Sequence, residues 1–176
     1  LKETIGIEKA VLNTVHAYTA SQSLVDGPAK KDFRSGRAAA LNIIPSSTGA
    51  AQATTKAHPE LDKKFDGIAM RVPVPVGSIV DVTFISKRDT SAEEINAILE
   101  KAAKEPKWKH IFAATNEPIV SSDIIGSRVG SIADLSFTRV VGGNLVKVLA
   151  WYDNETSYTQ TLVEHVAASA RFLAKS

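Results

Sequence analysis

Apolar and polar residues along this chain alternate in short blocks, and three longer stretches carry a helical period instead. Residues 7 to 19 are apolar and β-branched, which predicts a strand. Residues 67 to 74 and 77 to 86 predict two more. In the second, Val80, Val82 and Phe84 fall on one face while Asp81 and Thr83 fall on the other, the period-2 pattern of a half-buried strand. Further strand candidates are 111 to 114, 119 to 121, 131 to 137 and 145 to 152. Residues 48 to 58 read as a helix that Ser47 or Thr48 can cap and Pro59 stops. Ser91-Ala92-Glu93-Glu94 has the form of a capping box. It opens a helix with Ile95, Ile98, Leu99 and Ala102 on one stripe. Residues 154 to 174 form a last helix, with Leu162, Val163, Val166, Ala170 and Leu173 at helical spacing. The stretch 22 to 35 is a polar loop. The apolar segment 38 to 44 ends at Pro45, and residues 1 to 6 read as the last turn of a helix closed by Gly6.

Strands outnumber helices, and short loops join several of them. The expected class is α+β: a mixed, largely antiparallel sheet with helices on one face. At 176 residues the chain is one domain, 1 to 176, large enough to bury a core. A domain that opens on the end of a helix implies that something upstream has been removed or belongs to another chain.

Composition narrows the picture mainly by exclusion. With 21 basic and 19 acidic residues the net charge is +2, too small to imply nucleic acid without a clustered basic face. No apolar run reaches the length of a membrane span, and the opening Leu1-Lys2-Glu3-Thr4 has no apolar segment behind a basic start. There is no cysteine, which excludes disulfides and thiolate metal sites.

Candidate chemistry concentrates near the start. A histidine and several hydroxyls occur in Asn13-Thr14-Val15-His16-Ala17-Tyr18-Thr19-Ala20-Ser21-Gln22. Asp26-Gly27-Pro28, Arg34-Ser35-Gly36-Arg37 and Pro45-Ser46-Ser47-Thr48-Gly49-Ala50-Ala51 follow. Farther on stand Arg71-Val72-Pro73-Val74-Pro75, Val120-Ser121-Ser122-Asp123 and Trp151-Tyr152-Asp153-Asn154-Glu155. Taken singly, each has a plain structural explanation. His16 would be a hydrogen-bonded strand-end histidine and Thr48 a helix cap. Lys30, Lys31, Arg34 and Arg37 would be a solvated basic face, Arg71 a surface or salt-bridged residue, Asn154 an N-cap and Tyr158 a core aromatic.

In this order and at these spacings, the segments together resemble the catalytic domain of phosphorylating glyceraldehyde-3-phosphate dehydrogenases, over nearly the whole chain. The resemblance implies an oxidoreductase of glycolysis, cytoplasmic and homo-oligomeric, binding triose phosphate and inorganic phosphate, with no nucleic acid or membrane partner. It implies that His16 is catalytic. An imidazole stabilises a neighbouring thiolate and accepts the hydroxyl proton of the hemithioacetal. It implies phosphate binding by Thr19, Ser21, Arg34, Arg37, Thr48, Gly49 and Arg71. A helix N-terminus at Thr48-Gly49 favours an anion, and arginine offers a planar donor fork. For the cofactor, NAD or NADP in the complete enzyme, it implies Asn154 at the nicotinamide carboxamide and Tyr158 near its ring. No metal is implied. Ser21 stands where the family commonly has threonine, and Phe33 where it often has tryptophan.

The family's nucleophilic cysteine and the glycine-rich dinucleotide fold have no counterpart in this sequence. The chain alone is therefore expected to be inactive and to hold no cofactor tightly, with a missing N-terminal domain as a partner. Two other readings stay open. One is a stand-alone, non-catalytic module for phosphate ligands or partners. The other is a relative of erythrose-4-phosphate dehydrogenase, against which the Tyr18-Thr19 and Ser47-Thr48-Gly49 pattern argues. If His16 is catalytic, it is expected in a solvent-open cleft near Asn154 and the Thr48 turn, with little burial penalty.

Overall fold

Alternation along the first strand sets the architecture. In Ile7–Ala17 (β1), Ala10, Leu12 and Thr14 are buried while Val11 between them is exposed. The computed structural model describes residues 1–29 and 32–173, so Lys30, Lys31 and Ala174 lie outside the described residues, as does the side chain of Leu173. The other strands are Ile44–Ser47 (β2), Phe65–Val72 (β3), Ser78–Ser86 (β4), Phe112–Thr115 (β5), Ser131–Val141 (β6) and Leu145–Tyr152 (β7). They form one seven-stranded sheet in the order β2-β3-β1-β4-β7-β6-β5. The β1–β3 and β5–β6 pairs are parallel and the other four pairings antiparallel. The class is the α+β fold with a mixed, mostly antiparallel sheet that the sequence predicts.

Among the described residues three helices accompany it: Ala50–Ala57 (α1), Ala92–Lys104 (α2) and Thr156–Leu173 (α3). Ser91 caps α2 by accepting the N–H of Glu94 at 3.2 Å. The reciprocal half of the capping box is replaced, because the Glu94 carboxylate goes to Arg88 and Thr90. These partners, Arg88 foremost, hold Glu94 at about 2. The apolar stripe of α2 lands on the sheet. Ile95 joins Ile5, Ala10, Phe84 and Val146 in the core, with Ile98, Leu99, Val82 and Val148 packed around them.

Three local readings of the sequence are corrected. β1 stops at Ala17 rather than 19, because Tyr18 N–H turns to the Val74 carbonyl and Thr19 N–H to the Gln22 side chain. Pro45 does not end a segment but sits inside β2. That strand pairs only with β3, and an edge strand tolerates a missing N–H. Residues 119–121 are not a strand. The Asp123 carboxylate accepts the Val120 N–H at 2.7 Å and closes a turn there. The opening turn matches expectation: Ile5 N–H reaches the Leu1 carbonyl, and Gly6 takes a φ of 70°.

The core makes a direct test. Phe84 is 2% exposed, and Phe84→Ala is expected to cost about 3–5 kcal/mol. Val11, 59% exposed on the opposite face, should cost under about 0.5 kcal/mol as Val11→Ala. Urea unfolding of both variants at low protein concentration checks the contrast.

Candidate active site

Four strand ends meet at one margin of the sheet. Pairing sets His16 opposite Arg71, and Ser78 opposite Tyr152. Side chains two residues apart share a face, so His16 and Arg71 lie on the face that carries Leu12, Phe84 and α2. The His16 and Tyr152 rings meet edge-on, with centroids 5.9 Å apart at 72°.

His16 is partly buried, and its Nδ1 lies 2.6 Å from the Ala17 carbonyl. The Ala17 carbonyl can only accept and the Arg71 guanidinium can only donate, so the two contacts ask opposite things of Nδ1, a proton for Ala17 and a lone pair for Arg71. Arg71 Nη1 is also 2.6 Å from Nδ1 and donates to the same carbonyl at 3.0 Å. Burial foremost pushes the imidazole below its ordinary range. The Ala17 hydrogen bond and Glu155 oppose that shift, and the Arg71 charge adds to it. The expectation of little burial penalty is therefore corrected: the chain's own strands desolvate one side of the ring.

Arg71 is the electrostatic oddity. Its Nε is buried without a partner. Among the described residues no carboxylate pairs with it. Desolvation lowers its proton affinity.

Asn154 is tied to this cluster through Ser78. The Ser78 hydroxyl is 1% exposed, accepts the Ala17 N–H at 3.2 Å and donates to Asn154 Oδ1 at 3.1 Å. Gly77 N–H also donates to Asn154 Oδ1, at 3.1 Å. Two donors thus commit the oxygen, leaving the amide NH₂ as the group that can donate to a ligand. Gly77 has a φ of +96°, and a Cβ there would meet the Ser121 carbonyl at 2.6 Å. The cap of α3 is Asp153 rather than Asn154. Its carboxylate, 1% exposed, accepts the N–H groups of Gly126, Glu155 and Thr156 at 2.7–2.8 Å.

The remaining candidates are more dispersed. Thr19 and Ser21 share a hydroxyl hydrogen bond of 2.9 Å just past the end of β1. Arg34 lies 3.6 Å from Asp32 and Arg37 3.2 Å from Asp26, both with side chains more than 60% exposed. Thr48 Oγ1 accepts the Ala50 N–H at 3.1 Å, and a Cβ on Gly49 would meet nothing within 4 Å. Ile44, not Thr48, sits opposite Arg71. The antiparallel β2 carries the Thr48-Gly49 turn four residues farther along, away from that level. Tyr158 is 66% exposed on α3.

Comparison with known proteins decides the family. Residues 1–154 match the model of the glyceraldehyde 3-phosphate dehydrogenase C-terminal domain. The chain belongs to that family. It is 47% identical over 175 residues to a glyceraldehyde-3-phosphate dehydrogenase of Clostridium acetobutylicum, covering 97% of this chain and 51% of that protein. It is 50% identical over 165 residues to the one of Borreliella burgdorferi, covering 93% and 49%. The chain spans about half the length of the curated relatives it matches.

Within this family domain, sequence reasoning singled out His16, Arg71 and Asn154 but not the groups that join them. Ser78, Tyr152 and Asp153 were missed as separate residues. A signal for Ser78 exists. With Ser86 it is one of two hydroxyls in the inward series Ser78, Val80, Val82, Phe84, Ser86, and a hydroxyl in a buried register must have partners. Asp153 carries a pH signature. Burial alone would raise its pKa, but the Gly126, Thr156 and Glu155 N–H groups outweigh it and hold the carboxyl below its ordinary value. Its stabilisation is therefore complete above about pH 4 and lost as pH falls through the lowered native value. Asp153→Asn should lose about 1–3 kcal/mol at neutral pH, and the gap to wild type should close toward pH 2. Urea melts at both pH values test this; an equal gap at both would refute it.

Proposed function

We propose that this chain is the catalytic portion of a glyceraldehyde-3-phosphate dehydrogenase, binding the phosphate of a triose phosphate aldehyde and inorganic phosphate. The observation that carries the reading is the Arg71–His16 pair: a partly buried guanidinium with an unpartnered Nε and, among the described residues, no acid paired with it, against a partly buried imidazole. A desolvated cation without a counter-ion favours an anion, and an adjacent base suits a substrate whose hydroxyl must lose a proton.

In this reading the His16 imidazole takes the substrate hydroxyl proton. Arg71 binds phosphate oxygens, with Thr19, Ser21, Arg34, Arg37, Thr48 and Gly49 completing the two anion pockets. Asn154, its Oδ1 committed, donates its NH₂ to the carboxamide of the nicotinamide, with Tyr158 near that ring. NAD or NADP, when bound, supplies the hydride acceptor. The nucleophile is a cysteine, and this sequence contains none. The chain as it stands therefore acts as the acid–base and anion-binding half, working with an N-terminal partner domain in the cytoplasm.

We also propose self-association through the open sheet face. A groove of about 350 Å³ there is lined by Val11, Asn13, Ile68, Asp81 and Thr83. Two of its acceptors, Asn13 Oδ1 and Asp81 Oδ1, are buried without a donor, and Val11 and Ile68 are 59% and 52% exposed.

Two outcomes test the function. Purified chain with aldehyde, phosphate and NAD should show no turnover above blank; turnover would mean another nucleophile. Inorganic phosphate should bind by calorimetry and weaken at least about tenfold in Arg71→Ala, the loss of one charge-assisted interaction. Unchanged affinity would remove Arg71 from the pocket. Sedimentation should show oligomers that an Ile68→Asp substitution disperses.

A further inference from the structure

The Arg71–His16 geometry carries more than an anion site. Nδ1 faces an acceptor, the Ala17 carbonyl, and a donor, Arg71 Nη1, each at 2.6 Å, so a doubly protonated ring keeps the carbonyl contact and turns its Nδ1–H against the guanidinium. The ring would then be a cation, with Arg71 Nη1 only 2.6 Å from Nδ1. Two positive groups at that distance repel strongly in a partly desolvated site. The other groups facing the ring do little to relieve this. Tyr152, on β7, is a phenol that burial holds neutral. Glu155, just before α3, draws a proton toward His16 but is weaker in effect than burial and the Ala17 bond. The counter-charge that would relieve the pair belongs on the unpartnered side of Arg71, where Nε is buried and unsatisfied.

We infer that an oxyanion on Arg71 and a second proton on the His16 imidazole bind cooperatively, so that the pair takes up a dianionic phosphate-type group and a proton together. This rests on the proposed anion function and adds its regulation. An anion on the guanidinium cancels the charge that opposes the imidazolium. By linkage the protonated imidazole must then strengthen anion binding by the same factor. In catalysis the anion makes His16 a stronger base as the substrate hydroxyl gives up its proton, and phosphate departure helps the imidazolium release it. The acid–base group is thus set by whether phosphate is present.

Sulfate is the probe, because it stays dianionic across the histidine range and adds no titration of its own. The four histidines of the full chain are followed by NMR from pH 5 to 9. His16→Gln assigns the His16 signal. Samples hold saturating sulfate or chloride at matched ionic strength, so screening is equal. The His16 midpoint should rise by about one pH unit in sulfate. Calorimetry should show sulfate binding about tenfold tighter below that midpoint than above it. In Arg71→Gln the midpoint should already be high in chloride, and sulfate should no longer move it. Saturable sulfate binding that Arg71→Gln abolishes, with no change in the His16 midpoint, would overturn the coupling and leave the anion site standing. Absence of saturable sulfate binding would overturn both. The wild-type titration decides the matter even if the variant fails to fold.

Discussion

The parallel pairing of β1 with β3, in the register that sets His16 beside Arg71, is the constraint on which the site depends. Side-chain direction in a strand has a period of two. A slip of one residue would send Arg71 to the open face and bring Met70 to His16 instead. Packing far from the site fixes that register. Ala10, opposite Phe65 on β3 and Phe84 on β4, is seated in the core beneath α2. Leu12 fills the space over Gly67, where an added Cβ would meet its Cγ at 2.5 Å. The hydrophobic end of β1 thus aligns the polar end.

Charge pairing sets Arg71 apart from Arg34, Arg37 and Arg88. Arg34, Arg37 and Arg88 each have a carboxylate nearby and sit in exposed segments. Such exposed pairs contribute little to stability. Arg71 is the reverse: partly buried, next to an imidazole, and, among the described residues, in contact with a backbone carbonyl and the His16 ring rather than a carboxylate. Its desolvation is offset by that carbonyl and, among the described residues, by no counter-charge.

Most of the fold was legible because the strands are strongly periodic and bounded by Gly and Pro. The failures were local. Residues 119–121 are apolar enough for a strand, but the Asp123 side chain supplies a closer partner for Val120 N–H. Pro45 reads as a stop only if its strand is assumed to be central. For the site, His16, Arg71 and Asn154 could be chosen because short motifs carry them. Ser78 carried only the weaker signal of a hydroxyl in an inward register, which demands partners without telling which elements converge on it. The burial of His16 was likewise invisible, because Tyr152 lies 136 positions away in sequence and reaches it only through the order β1-β4-β7.

The Asp153 cap has a mechanical consequence. It pins the first turn of α3 to Gly126 and to the end of β7, right beside Asn154. Eighteen residues of helix extend about 27 Å from that anchor. A tilt of about 10° would carry the far end through roughly 5 Å while the anchored end moves by a small fraction of that, by the lever geometry of a rigid helix. The helix is thus a long arm on a fixed pivot. Whatever pushes on its exposed Val163, Val166 and Phe172 can swing the tip widely without disturbing the amide at its root.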